Sequence, residues 1–332
     1  MSTIGPNLSV VVRSDLAIAT AAVLTGIAGM CIADQVLPQV GISTRTGQIW
    51  KMDTGSLLQM PETLRARGAG YNRIRNNISA STFTCEQNAI EEAILIEDTA
   101  EFGEFFAGEL SASIRCRDIV MRRRESRVAA AVFNETTFPV SGTTGVTVGT
   151  AWTSAAATPA ANVNTVASFI FNKSGITKEQ LSLIIPYESL QLLAFVTDYI
   201  TKMKLDTSAL GAEVTPQQAA VYFGVKEVLV GRCAYNSAKD GQTAVPTAIW
   251  NKNYAFLFHR MDGSRAVGAS TIDAAVVGLG CSPRWDRMDN GSYGVYSYGE
   301  NQTDSGIVRV SQYCDEVICN TECGALIKAI NP

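Results

Sequence analysis

The sequence predicts an α+β fold with a packed body and a long outrigger, and three observations lead there. Residues 32–134 hold two extended segments flanking a polar excursion, followed by one long helical pattern. The second half alternates short apolar runs with helical segments, as α/β structure does. Hydrophobic residues make up 46% of the 332 and charged residues 17%. That is enough for a large core under a weakly charged surface, as expected where much surface lies at contacts. A two-stranded arm followed by a long helix buries little of its own surface, and the economical cover is another copy of the same chain.

Residues 1–41 form an N-terminal arm. Its uncharged run, 16–33, is mostly Ala, Thr and Gly. A spanning helix needs about twenty predominantly apolar residues, so this reads as a packed arm helix. Asp15 and the lack of a basic run before it do not suit a signal peptide. The segment 34–38 breaks the helical pattern, because the residue before Pro38 is pushed out of the α region. Gln48, Ile49, Trp50, Lys51 and Met52 alternate like a half-covered strand. From Thr54 to Ala80 the large apolar side chains thin out. Pro61, Gly68 and Gly70 punctuate a stretch that carries Arg65, Arg67, Arg73 and Arg75. A structureless loop of this length is unusual inside a compact domain. It reads as a projecting hairpin whose return strand passes through Tyr71, Arg73 and Arg75 to Phe83 and Cys85.

A helix follows over about 98–134. Asp98 or Thr99 caps it, and Glu101 and Glu104 suit the positive end of its dipole. Phe102, Phe106, Leu110, Ile114, Met121, Val128 and Val132 recur at steps of four or seven and draw an apolar stripe. At roughly 1.5 Å per residue the helix is about 55 Å long. Its second half carries Arg115, Arg117, Arg122, Arg123, Arg124 and Arg127. The Thr-, Gly- and Ala-rich stretch 138–161 joins two domains. Helix is expected over 162–171 and 187–203, and strand over 181–186, 226–231 and 253–259. Thr215 caps a helix with Pro216 at its first position, ending at Gly224. Residues 281–300 read as loop and short strands, 307–313 alternate, and 325–330 form the last strand.

Chemistry finds little footing. A net charge of −4 gives no general reason to coat nucleic acid. The single histidine, His259, sits in the apolar run YAFLFHR and reads as a strand residue with a satisfied ring, which excludes any mechanism needing two histidines. None of the eight cysteines forms a C-x-x-C pair. Cys314, Cys319 and Cys323 are spaced loosely like metal ligands, but no histidine lies near and thiols also serve as small core residues. Gly278 and Gly280 lack the third glycine of a dinucleotide loop. The acidic cluster Glu91, Glu92, Glu97, Asp98, Glu101 and Glu104 could pair carboxylates for acid–base chemistry. More simply, it is the acidic front of a helix or the partner of a basic surface. The arginines of 115–127 fit either a phosphate-facing surface or a solvated, salt-bridged helix face. An enzyme is not expected, nor a cofactor or metal.

The order of these segments resembles the major capsid proteins of tailed bacteriophages, the Hong Kong 97 fold, over nearly the whole chain. IADQVLP (32–38) resembles the end of that family's N-arm. GQIWKMD (47–53) through TFTCEQNAIEEAI (82–94) resembles its E-loop hairpin, and RESRVAAAVFN (124–134) the end of its spine helix. AWTSAAATPAANV (151–163), TPQQAAVYFGVKEVLVGRCAYN (215–236) and TAIWNKNYAFLFHR (247–260) resemble its A-domain. The resemblance implies an N-arm over 1–41 and an E-loop over 42–85. It implies a P-domain over 86–148, an A-domain over 149–303 and strands returning to the P-domain over 304–332. It also implies hexamers and pentamers of an icosahedral shell around non-specifically held double-stranded DNA. Portal and scaffold proteins, and a decoration protein, would be partners; no membrane is involved. Assembly would take place in the host cytoplasm and the product would be the virion capsid. An encapsulin-like compartment for enzyme cargo is the alternative. Some members begin with a long scaffolding domain, whereas only a short arm precedes the hairpin here, so a separate scaffold or none is expected. Some members also cross-link through a Lys–Asn isopeptide bond. Lys51 is the hairpin's only lysine and lies in its first strand rather than at its tip, so that chemistry is not carried over. In such a shell Arg65, Arg67, Arg73 and Arg75 would meet acidic side chains of a neighbour, with Glu91, Glu92, Glu97, Asp98, Glu101 and Glu104 as candidates. Arg122, Arg123, Arg124 and Arg127, if they face inward, would touch packaged DNA without reading its sequence.

Overall fold

The computed structural model describes residues 11–23, 30–52, 54–75, 77–95, 97, 108–203, 213–239, 241–261, 265–267, 271–274, 278–286 and 293–332. A five-stranded mixed sheet lies at the centre of the α/β body, in the order Val146–Thr147, Gly324–Lys328, Tyr254–Phe258, Ser182–Pro186, Glu227–Gly231. Its three inner strands are largely apolar runs because both faces are covered. Leu183, Ile185, Val228, Val230, Leu257 and Ile327 face one core, which the helix Pro159–Ser174 fills with Val163, Val166 and Ile170. The alternate residues Ile184, Leu229, Phe256, Phe258 and Leu326 face a second core. There they meet Val128, Ala129 and Val132 of the long helix, together with Ile32, Ala33, Val36 and Leu37 of the lead-in segment.

Local signals explain most of the body's helix ends. Thr215 Oγ1 accepts the Gln218 N–H at 3.3 Å, and the Gln218 side chain accepts the Thr215 N–H at 3.1 Å. This capping box opens the helix Pro216–Phe223, and Gly224 closes it in the left-handed region at φ 65°, as the sequence predicts. The stretch 187–203 departs from expectation and forms two helices, Tyr187–Leu192 and Thr197–Lys202. Between them Val196 is buried and extended, at φ −87° and ψ 124°. The Thr197 N–H turns away to the Ala155 carbonyl at 3.0 Å. The final strand, Gly324–Lys328, also lies elsewhere than expected, pairing inside the α/β body's sheet with Tyr254–Phe258.

A seven-stranded sheet forms the second layer. At its centre Ser305–Cys314 pairs antiparallel with Glu86–Leu95 on one side and Gly294–Glu300 on the other. The region 281–300, expected to be loop and short strands, supplies two full strands here, Gly280–Trp285 and Gly294–Glu300. Its Gly- and Tyr-rich composition carries a weak strand signal, and the ladder to Ser305–Cys314 overrides it.

The long helix is described over Gly108–Val132, 25 residues or about 37 Å. Asp98, Glu101, Phe102, Glu104 and Phe106 lie outside the described residues. Its first half packs Ala112 and Cys116 on Val295, Val308 and Val310 of the seven-stranded sheet, beside Leu16 of the arm helix Ser14–Val23. Its second half enters the second core, so one helix ties both sheets together. The stripe is phased differently from the sequence reading. Leu110, Ile114 and Met121 are only half-buried, and the buried face runs Ala112, Cys116, Val120, Arg124, Val128, Val132.

Arg124 and its neighbour Glu125 explain the shift. Arg124, 2% exposed, forms an ion pair with Asp34 and reaches the Leu37 carbonyl and Ser282 Oγ, each at 3.4 Å. Glu125, fully buried, accepts the Ile32 N–H at 3.0 Å, the Ala33 N–H at 2.8 Å and Trp250 Nε1–H at 2.6 Å. It thereby caps the one-turn helix Ala33–Val36. Leu37 is extended at φ −121° and ψ 94°. The break expected over 34–38 therefore falls at the residue before proline. Burial pushes the Glu125 carboxyl above the usual carboxylate range, against the pull of its three donors.

Removing Glu125 orphans three buried donors. Glu125→Ala is expected to cost about 3 kcal/mol in chemical unfolding and to raise amide exchange at Ile32 and Ala33. A raised carboxylate pKa favours the folded state most when the group is protonated. The margin of wild type over Glu125→Ala should therefore shrink as pH rises from the usual carboxylate range through the higher folded value, as read from melting temperatures across pH.

Candidate assembly interface

The hairpin is rooted in a four-stranded sheet. The outgoing strand Thr46–Met52 pairs antiparallel with the return strand Ile78–Thr84, from Thr46 opposite Thr84 to Met52 opposite Ile78. Its other edge runs parallel to Thr271–Ala274, which pairs in turn with Arg265–Val267. Ile49, Phe83 and Cys85 are buried at the root beside Val40, Ile42 and Met261. Lys51 Nζ donates to the Cys319 carbonyl at 2.6 Å, and Thr54 Oγ1 accepts from Asn320 Nδ2 at 2.8 Å. These bonds fix the point where the chain leaves the body.

Beyond the root, every described residue from Leu58 to Ala80 is exposed. Met60 is 98% exposed, Leu64 86% and Tyr71 77%. Local polar contacts give this stretch its shape without burying it. The Arg65 guanidinium lies 4.0 Å over the Tyr71 ring, and its Nε donates to the Ala69 carbonyl at 2.6 Å. Asn72 Nδ2 donates to the Glu62 carbonyl at 2.7 Å. The return strand begins later than the sequence suggested. Tyr71, Arg73 and Arg75 fall outside the ladder, because the short helix Thr54–Leu57 carries the outgoing chain away from pairing after Met52.

Arg65, Arg67, Arg73 and Arg75 are all exposed. Their expected acidic partners fare unevenly. Glu92 is engaged by Arg115 of its own chain, at 2.8 Å from Nε, and Glu91 accepts from the Tyr298 hydroxyl at 2.9 Å. Glu97 is exposed, while Asp98, Glu101 and Glu104 lie outside the described residues. The helix arginines expected to face DNA are mostly occupied as well. Arg122 pairs with Asp118 one turn earlier, and Arg124 is buried against Asp34. Arg127 makes two 2.9 Å bonds to Glu316 and one to Asn88. Arg123 is the exposed member of the set. Nothing local marks Arg124 and Glu125 as buried, since RRRES reads as a solvated face. Among the described residues no group of His, Cys, Asp and Glu could hold a metal, and no helix is long and apolar enough to cross a membrane.

No protein-family model matches the chain. The crystal structure of a phage-related protein from Bordetella bronchiseptica RB50 superposes with a TM-score of 0.68 at 16% identity, over 97% of this chain and 98% of that one. The capsid structure of cyanophage P-SCSP1u gives a TM-score of 0.55 at 11% identity, over 89% of this chain and 86% of that one. The chain has the Hong Kong 97-like capsid fold. In sequence, the major capsid protein of Pseudomonas phage JBD67 is 20% identical over 237 residues, 69% of this chain and 72% of the relative. Within the capsid fold the described hairpin residues beyond Leu57 are left uncovered by their own chain.

Two of the ion pairs along the long helix, Arg115–Glu92 and Arg127–Glu316, should behave differently. Arg115→Ala removes an exposed partner of Glu92 and should change stability by less than about 1 kcal/mol. Arg127→Ala strands the largely buried Glu316 and should cost about 2 kcal/mol. Urea unfolding of the two variants side by side measures the difference.

Proposed function

We infer that this chain is a phage major capsid protein, whose copies assemble into hexamers and pentamers of an icosahedral shell around double-stranded DNA. The observation that carries the reading is the hairpin: on a capsid fold, residues 58–80 present apolar side chains that their own chain leaves in solvent. Covering Met60, Leu64, Tyr71, Ile74 and Ile78 on a neighbour is worth about 1.5–3 kcal/mol for each side chain fully buried. Exposed pairs made by Arg65, Arg67, Arg73 and Arg75 add about 0–1 kcal/mol each. The apolar residues therefore hold and the arginines align. Head-to-tail contacts of this kind must close into rings.

The proposed division of the chain is the N-arm over 1–41, the hairpin over 42–85, the region of the long helix over 86–148, an A-domain over 149–303 and returning strands over 304–332. Of the long helix's arginines, Arg123 is the one proposed to touch packaged DNA. A separate portal, with or without scaffold and decoration proteins, would complete the particle.

Electron microscopy of the expressed protein should reveal closed shells, and particles purified from infected cells should hold nuclease-protected DNA. Enzyme cargo in place of DNA would point instead to a compartment. Changing Arg65, Arg67, Arg73 and Arg75 to Glu should leave a soluble folded chain that sediments as small species. Shells of normal size and yield from that variant would overturn the role given to the arginines.

A further inference from the structure

We propose that Cys31 and Cys233 form a redox staple, a disulfide that closes between the N-terminal arm and the α/β body when the chain meets a glutathione-type disulfide. The two sulfurs lie 3.0 Å apart although 202 residues separate them in sequence. That leaves about 1 Å of movement to a bond of about 2.05 Å.

Both backbones are already held in place. Ile32 and Ala33, directly after Cys31, donate their N–H groups to Glu125. On the other side the Cys233 carbonyl accepts the Ile249 N–H at 2.9 Å, next to Trp250, and Trp250 also donates to Glu125. One buried carboxylate thus registers both strands of the staple. A second thiol pair, Cys281 with Cys319, shares a proton as well, but both residues are 2% exposed or less. Cys31 is half-buried, Met30 before it is 47% exposed, and Arg232 beside Cys233 is exposed. An oxidant can approach the Cys31 pair and not the other.

The exchange balances in two steps. The Cys31 thiolate attacks one sulfur of glutathione disulfide, forms a mixed disulfide and releases one glutathione thiolate. The Cys233 thiolate then attacks the Cys31 sulfur, forms the Cys31–Cys233 bond and releases the second glutathione. Two protein thiols lose two electrons, one glutathione disulfide gains them, and the two thiol protons end on the two glutathione thiols. The hydrogen bond to Cys233, helped by burial, pushes the Cys31 thiol up. Its thiolate is therefore scarce at neutral pH, so the link closes slowly and faster in alkali. That suits a bond made after the chain has folded.

The reduced full-length protein is incubated with glutathione disulfide, its remaining thiols are blocked with N-ethylmaleimide, and it is digested with trypsin without reduction. Residues 14–45 and 233–239 are tryptic peptides with one cysteine each. They should be recovered joined in most chains, and separate after reduction. Cys31→Ser protein should yield peptide 233–239 alkylated and unjoined. Unreduced wild type should also run faster than Cys31→Ser on a denaturing gel. Recovery of both wild-type peptides as alkylated monomers, or of either joined to another cysteine, would overturn the proposal. The readout is made on the single chain, so it stands apart from shell formation.

Discussion

Two adjacent opposite charges, sunk in the long helix, set the geometry of everything around them. Arg124 and Glu125 occupy the buried face where aliphatic residues would be expected, and both turn toward the lead-in segment. Ionised groups taken out of water are tolerated only when nearly every lone pair and proton finds a partner in good geometry. Glu125 meets that demand with two backbone N–H groups and an indole, whereas Arg124 reaches a carboxylate, a carbonyl and a hydroxyl and leaves its buried Nε without a partner. Their partners come from three separate parts of the sequence, 32–37, Trp250 and Ser282. Sliding the arm by a single residue would unpair several of them at once. An aliphatic core would forgive such a slip, and this one does not.

That intolerance locates the arm, the helix and the α/β sheet relative to one another, and the hairpin inherits the result. Its outgoing strand follows the lead-in segment by only a few residues. Val40, Ile42, Ile49 and Phe83 share one small core at its base. The chain is therefore divided sharply. The root is held by its strand ladder and a core on one face, while the tip keeps its form through a guanidinium over a ring and a few local hydrogen bonds. A rigid base with an uncovered end is what a part made for contact with another molecule requires.

Much of this was legible in the residues. The apolar runs 181–186, 226–231 and 253–259 became strands because a sheet buried on both faces needs no alternation. Thr215, Pro216 and Gly224 bounded a helix by local chemistry alone. The excursion after Met52 declared itself through its shortage of large apolar side chains. What stayed hidden depends on distant partners. Thr271–Ala274 lies parallel to Thr46–Met52 across more than two hundred residues, and nothing local encodes that register. The phase of the long helix was misread because two charges interrupt its buried face. Val196 interrupts a helix where the Thr197 N–H bonds to the Ala155 carbonyl, a partner some forty residues away that no local pattern encodes. The return strand was drawn too long because arginines at alternate positions look like a strand whether or not a partner lies opposite. The two thiols of Cys31 and Cys233 carry no spacing signature at all.

The hairpin's ladder runs in strict register from Thr46 opposite Thr84 to Met52 opposite Ile78, and it ends before the tip begins. An insertion or deletion inside the ladder would swap every following side chain between faces. A change of length within 59–75 alters no paired residue. Reach and foundation are therefore separable traits. Descendants of this chain are free to lengthen, trim or recharge the tip to suit a shell of different curvature, while the fold beneath it stays the same.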